Sequence, residues 1–288
     1  MSALAHGQSP TSLVIDSTSV YWGNRTAQTV VFASKRGGPV ITLATAPSPP
    51  VVDAVDSTTV VWHTKSAILS TPRSGGTSTT LDSGDVGAVA ACPPLVLWSG
   101  STWVHRDGGP WVAPPSWNLP QPDPPTTDAV PARVAEVSPY VMVLHGSFLL
   151  WSNAAGIGRE NRLVRSGTSQ FVIAERAAVI VPVANVTALT TDSAFVYARA
   201  GHTIVKAPLG GGAPITLATQ QERGTSIATD GVNVYWTNPE AGTVNAVSTY
   251  GGTIVTLVSG QSSPQNLAVD EDSVYLTAGD SVIKVTPK

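Results

Sequence analysis

Leu257-Val258-Ser259-Gly260-Gln261-Ser262-Ser263-Pro264, followed by Leu267-Ala268-Val269-Asp270 and Val274-Tyr275, repeats the head of its own chain. There, Leu4-Ala5-His6-Gly7-Gln8-Ser9-Pro10 leads into Leu13-Val14-Ile15-Asp16 and Val20-Tyr21-Trp22. Working outward from this match, the pairs Asp16/Trp22, Asp56/Trp62, Cys92/Trp98, His145/Trp151, Asp192/Ala198, Asp230/Trp236 and Asp270/Leu276 mark seven units. A unit recurring about every 40 residues, with four short strand signals inside it, predicts propeller blades.

Within a unit, apolar residues alternate with small or polar ones over four to six positions, as in Thr243-Val244-Asn245-Ala246-Val247. That is the signature of a half-buried strand. An inner strand ends at the Asp, a second carries Val-Tyr-Trp, and a third and an outer fourth follow. Glycine pairs stand between third and fourth strands at Gly37-Gly38, Gly75-Gly76, Gly108-Gly109, Gly211-Gly212 and Gly251-Gly252. Glycine reaches positive φ without a Cβ clash, so these are tight turns. In the fourth unit only Ser166-Gly167 stands at this point, which makes that blade degenerate. No long amphipathic helix is visible, and the expected class is all-β.

Strand counting predicts how the ring closes. The seventh unit has inner, second and third strands but ends at Lys288 before a fourth. The unmatched outer strand lies at Ser2 to His6, where Leu4-Ala5 aligns with Leu257-Val258. The expectation is a seven-bladed β-propeller closed by its N-terminal strand, six blades being the alternative count. Closure protects sheet edges that would otherwise pair with other chains. Residues 1–288 are read as one domain carrying a Pro-rich insertion at 110–138.

Composition narrows the function. The chain has 288 residues, 12% charged, a formal net charge of −3, 26 Gly and 23 Pro, which suits many short strands and turns. No basic run supports a nucleic-acid footprint, and no apolar stretch approaches the length of a membrane span. The one cysteine, Cys92, excludes an internal disulfide and a cysteine-based metal cluster. No signal peptide is visible at Met1-Ser2-Ala3, while low charge with abundant Ser, Thr and Gly suits a secreted or periplasmic protein, a cytoplasmic one being the alternative.

Val20-Tyr21-Trp22-Gly23, Val234-Tyr235-Trp236-Thr237-Asn238 and Val274-Tyr275-Leu276-Thr277 resemble YWTD-type repeats, and the whole unit is similar to NHL-type propeller repeats. The resemblance implies a propeller and leaves function open, because such families include receptor ectodomains, bacterial envelope proteins and lyases. Ala198 and Leu276 depart from it by replacing the tryptophan, and Cys92 and His145 by replacing the aspartate.

The repeated Asp is read as a turn residue accepting backbone N–H bonds, with a cation-binding ring of carboxylates as the alternative. The tryptophans are read as filling gaps between blades, with an aromatic sugar platform as the alternative. Function is then sought where repeats break. Residues 110–138 combine eight prolines with Trp111 and Trp117, which prevents regular pairing. The same rim gathers Arg25, His63, Lys65, Arg159, Glu160, Arg199, His202 and Glu240 in loops between second and third strands, with Gln220, Gln221, Glu222 and Arg223 between blades.

The expected function is therefore a non-enzymatic binding module recognising a protein, peptide or glycan. Its candidate ligand-binding residues are Arg25, His63, Trp117, Arg159, Arg199, His202 and Arg223. It is expected to be a monomer with no cofactor and no metal. The alternative is a lyase or hydrolase with a metal-assisted site at the channel mouth. Some seven-bladed propeller lyases use a His and acidic residues there, and His63, His202, Glu222 and Glu240 are the groups this rim offers. No nucleophile elbow, phosphate loop, dinucleotide fingerprint or paired-His metal motif is present.

Overall fold

The computed structural model describes residues 1–87, 89–92, 95–98, 141–145, 148–160, 163–166, 170–173, 178–224 and 226–288. Residues 110–138, with Trp111 and Trp117, lie outside them. The alternating stretches form strands at the expected places. Unit one is a blade of Val14–Ile15, Ser19–Asn24, Thr29–Ser34 and Ile41–Thr45, paired in that order. Unit two is Val51–Val55, Thr59–Thr64, Ala67–Pro72 and Thr79–Ser83. Unit five is Val186–Thr191, Phe195–Ala200, Thr203–Pro208 and Ile215–Ala218, and unit six is Ile227–Thr229, Asn233–Asn238, Thr243–Ser248 and Val255–Val258.

Two units depart from expectation. Unit four takes its first three strands from Val141–His145, Phe148–Asn153 and Gly156–Glu160, but its outer strand is Ala178–Val181. Between them Leu163–Ser166 and Gln170–Ile173 pair only with each other, so Ser166 lies in an inserted hairpin rather than at a worn glycine turn. Unit three contributes a two-stranded sheet, Val89–Cys92 with Leu95–Trp98, and its Val89–Cys92 strand lies against the inner strands of units two and four. Six four-stranded blades are thus formed among the described residues, not the seven expected.

Unit seven supplies Pro264–Val269, Val274–Ala278 and Ser281–Val285, and Ser2–Ala5 adds antiparallel to the last of these. Ser2 pairs with Lys284 and Ala3 with Ile283, so the first strand completes the last blade. Gln8 N–H adds a bond to the carbonyl of Asp280 at 2.7 Å.

The core lies between blades. Leu4, Ala5, Tyr275 and Val282 of the closing blade pack against Trp22, Val31 and Ala33 of unit one. Tyr21 and Val30 meet Val52, Val60 and Trp62 of unit two, and Tyr197 meets Trp236 and Val247 across units five and six. Trp22, Trp62 and Trp236 are sealed from solvent, as gap-filling requires. Each large ring removes apolar area from water at roughly 25 cal/mol per Å². The glycine pairs turn the chain between third and fourth strands as expected: Gly251 and Gly252 have φ of 86° and 118°, which side-chain-bearing residues rarely adopt.

Candidate functional site

The two rims of the ring are chemically different. Turns between first and second strands and between third and fourth strands share one, here the turn rim. Loops between second and third strands, with the connections between blades, share the other, the loop rim.

On the turn rim every described repeat Asp does the same local work. Asp16 Oδ1 accepts the N–H groups of Thr18 and Ser19 at 2.6 and 2.7 Å, and Asp230 Oδ1 those of Val232 and Asn233 at 2.9 and 2.7 Å. At four of the five the second oxygen accepts the hydroxyl of the Tyr five residues on: Tyr21 at 2.9 Å, Tyr197 at 2.6 Å, Tyr235 at 2.8 Å and Tyr275 at 3.0 Å. At Asp56, where Val61 stands in that place, it accepts the Thr59 hydroxyl at 3.2 Å. A cation from the following blade, or from the chain end, then completes three of these sites. Arg73 pairs with Asp16, Lys35 with Asp270 at 2.5 Å, and Lys288 with Asp230 at 2.7 Å. The same cations sit over the Tyr275, Tyr21 and Tyr235 rings. Asp16, Asp230 and Asp270 are therefore inter-blade latches.

Burial alone would raise these carboxyls, but the hydrogen bonds outweigh it. Asp16, Asp56 and Asp270 are held below the usual 3.8, and Asp230, helped most by Lys288, falls to about 2. Burial and the Asp230 and Asp270 carboxylates push the Tyr235 and Tyr275 hydroxyls up to about 12. A carboxyl depressed in the folded state contributes stability that is present above its unfolded pKa and lost as pH falls through the folded value. The urea midpoint is therefore expected to fall between about pH 4 and pH 2, and Asp230→Asn to flatten part of that slope. A midpoint constant across this range would contradict the latch.

The loop rim carries most of the candidate binding residues, but the structure divides them. Arg25, His202 and Arg223 are exposed there. His202 Nδ1 is 2.8 Å from the carbonyl oxygen of Gln221. Arg159 lies within the third strand of unit four, not in a loop, and donates to the carbonyl of Leu209 at 2.5 Å near the turn rim. Glu160 ends that same strand. Trp117 lies outside the described residues.

Arg199 is fully buried rather than displayed. Its guanidinium crosses to unit six, donating to the Thr237 carbonyl at 2.8 Å, to Asn238 Oδ1 at 3.1 Å and to the Glu222 carbonyl. Burial lowers its pKa to about 10 against the opposing effect of Glu222, so it stays charged at neutral pH. Gly224 makes room for it, since a Cβ there would lie 2.9 Å from Arg199 Cζ. Unit five lacks the inter-blade tryptophan at Ala198, and this hydrogen-bonded cross-link stands one residue away from the missing ring.

His63 is committed differently. Its Nδ1 lies 2.8 Å from Oδ2 and 3.0 Å from Oδ1 of Asp53, on the inner strand of the same blade. The His63 side chain retains 17% exposure and Asp53 9%. Burial raises the Asp53 carboxyl despite its bond to His63. Asp53 was absent from the expected site residues. Its signal was available in the repeat itself, as an acid where the other units are apolar. No three His, Cys, Asp or Glu side chains come together as a metal-binding group among the described residues.

No protein-family model matches the chain, and no curated protein matches its sequence. Solved structures do resemble it in fold. Virginiamycin B lyase from Staphylococcus aureus has a TM-score of 0.67 at 15% identity, covering 100% of this chain and 98% of that one. The Pan2 WD40 domain from Neurospora crassa has 0.67 at 9%, covering 98% and 90%. BamB from Moraxella catarrhalis has 0.58 at 14%, covering 96% and 82%. The chain shares the β-propeller fold. At these identities nothing of activity follows, and the YWTD- and NHL-type resemblance is supported only as far as a propeller repeat. No described helix is long and apolar enough to cross a membrane.

Proposed function

We propose that the chain is a β-propeller binding module whose loop rim recognises a protein, peptide or glycan. The carrying observation is how cations divide between rims. On the turn rim Lys35, Arg73, Lys206, Lys284 and Lys288 all bond to protein groups, leaving Arg36 exposed. On the loop rim the side chains of Arg25, Lys65 and Arg223 are exposed and bond to no described residue. Exposed Asp85 and Glu240 on the same rim keep the face mixed in sign. Uncommitted charges beside rigid blades are suited to polar recognition, where they set specificity and on-rate.

The test is an array of acidic and neutral peptides and glycans, probed with the wild type and with Arg25→Glu/Lys65→Glu/Arg223→Glu. The wild type is expected to retain a subset, with affinity weakening as salt rises. The triple variant is expected to lose ten-fold or more on that subset, while Arg36→Glu on the other rim leaves it unchanged. Equal retention by all three proteins would refute a loop-rim site.

A further inference from the structure

Asp53 breaks the repeat in sequence and in geometry together. Three residues before the turn position, the other units carry Leu13, Val89, Met142, Leu189, Ile227 and Leu267. Unit two alone places a carboxylate there. In units six and seven this residue pairs across the ladder with the tryptophan position, Ile227 with Trp236 and Leu267 with Leu276. In unit two Val52 takes that place opposite Trp62, the register shifts between Val52 and Ala54, and Asp53 is the extra residue. Val52 fills the apolar gap with Trp62, so the core is kept. A bulge re-aims a side chain without sacrificing the strand.

The partner is equally out of pattern. The residue after the tryptophan position is Gly23, Ser152, Arg199, Thr237 or Thr277 in other described units, and His63 here. Two departures at positions ten residues apart thus meet in one hydrogen bond. The pair holds no blades together, because both residues belong to unit two. Burying a carboxylate against a single imidazole costs more desolvation than an apolar residue would, so stability does not account for it. With Nδ1 bonded to a carboxylate, the ring's tautomer and orientation are fixed. The Nε2 lone pair, without a partner among the described residues, is then left as a proton acceptor.

We propose that Asp53 and His63 form a proton-transfer site, His63 Nε2 accepting the proton of a hydroxyl group and Asp53 positioning the imidazole. This proposal rests on the Asp53–His63 geometry at the loop-rim end of unit two and not on the recognition reading above. With an activated acyl ester, water attacks the acyl carbon as its proton passes to Nε2. The C–O bond to the leaving phenolate breaks, and the imidazolium returns its proton to solvent. Acid and phenol are the products, and no further reactant is needed.

The probe is p-nitrophenyl acetate, with release of p-nitrophenolate followed in H2O and D2O. The wild type is expected to exceed buffer and to slow in D2O. His63→Gln is expected to lose about a hundred-fold or more of the excess over buffer, the range of positioned proton transfer. Asp53→Asn is expected to lower kcat with little change in KM, the signature of a positioning residue. His6→Ala, at an exposed histidine elsewhere, should match the wild type. Wild-type turnover in His63→Gln or in Asp53→Asn overturns the proposal. Should either variant fail to fold, diethyl pyrocarbonate labelling of the native chain decides instead. Modification of His63 faster than His6 supports an available Nε2, and protection of His63 while His6 reacts overturns it.

Discussion

Arg199→Ala is expected to lower stability by about 3 kcal/mol or more, because it leaves several buried acceptors without donors. The carbonyls of Thr237 and Glu222 and the Asn238 amide oxygen all receive the guanidinium. Each buried group left unpaired costs about 1–3 kcal/mol, against a typical total of about 5–15. Arg199→Lys should recover only part of this, since an ammonium cannot reproduce the planar fork. The damage should extend to Trp236, whose Nε1 donates to Gln221 Oε1 at 2.9 Å, an oxygen shared with Asn238 Nδ2 at 3.2 Å. Urea midpoints and near-ultraviolet tryptophan signals measure both effects. A shift below about 1 kcal/mol would show that water replaces the guanidinium at little cost, against the expected penalty for an unpaired buried group.

The second large effect is expected from removing residues 1–5. The deletion strips the outer strand from the last blade and exposes the edge of Ser281–Val285. It also empties the places of Leu4 and Ala5 between Tyr275 and Trp22. Losing one buried leucine side chain alone costs about 2–5 kcal/mol, and the lost ladder bonds and opened edge add to it. The truncated chain is expected to melt well below the intact one and to aggregate through its free edge. A synthetic peptide of residues 1–8 should restore part of the loss in trans. Unchanged melting after truncation would mean that the strand contributes nothing to the ring.

Much of this architecture was legible because it is periodic. The Asp-to-Trp spacing locates second strands, and the head-to-tail match places Ser2–Ala5 in the closing blade. The turn role of Asp16 or Asp230 follows from repetition, since a local side-chain bond recurs wherever the turn recurs. Their cations were not legible: Lys35 meets Asp270 only after the ring closes, and no local pattern encodes that distance. Arg199 was misread for a related reason. A charge near a strand end looks like a rim residue until the neighbouring blade is seen to cover it.

Unit four shows another limit. The Leu163–Ser166 and Gln170–Ile173 hairpin displaces the outer strand to Ala178–Val181, and Arg159 fell on the wrong rim because the third strand already begins at Gly156, after a two-residue turn from Asn153. Blade number was overcounted because Cys92/Trp98 has the anchor spacing while the unit forms only two described strands. Asp53 is the instructive omission. Aligning the units on their turn positions exposes an acid in an apolar column, but a search for shared features passes over the single residue that differs.

Every geometric statement about rims and latches depends on the two chain ends meeting. The most direct measurement is disulfide trapping of Ala3→Cys with Ile283→Cys in a Cys92→Ser background. These residues are register partners on adjacent antiparallel strands, where Cα atoms lie about 4.5–5.5 Å apart and within bridging range. Rapid, near-complete oxidation of the native protein, with a higher melting temperature once bridged, is the expected result. Two thiols that stay free and alkylatable under native oxidising conditions would contradict the closed ring.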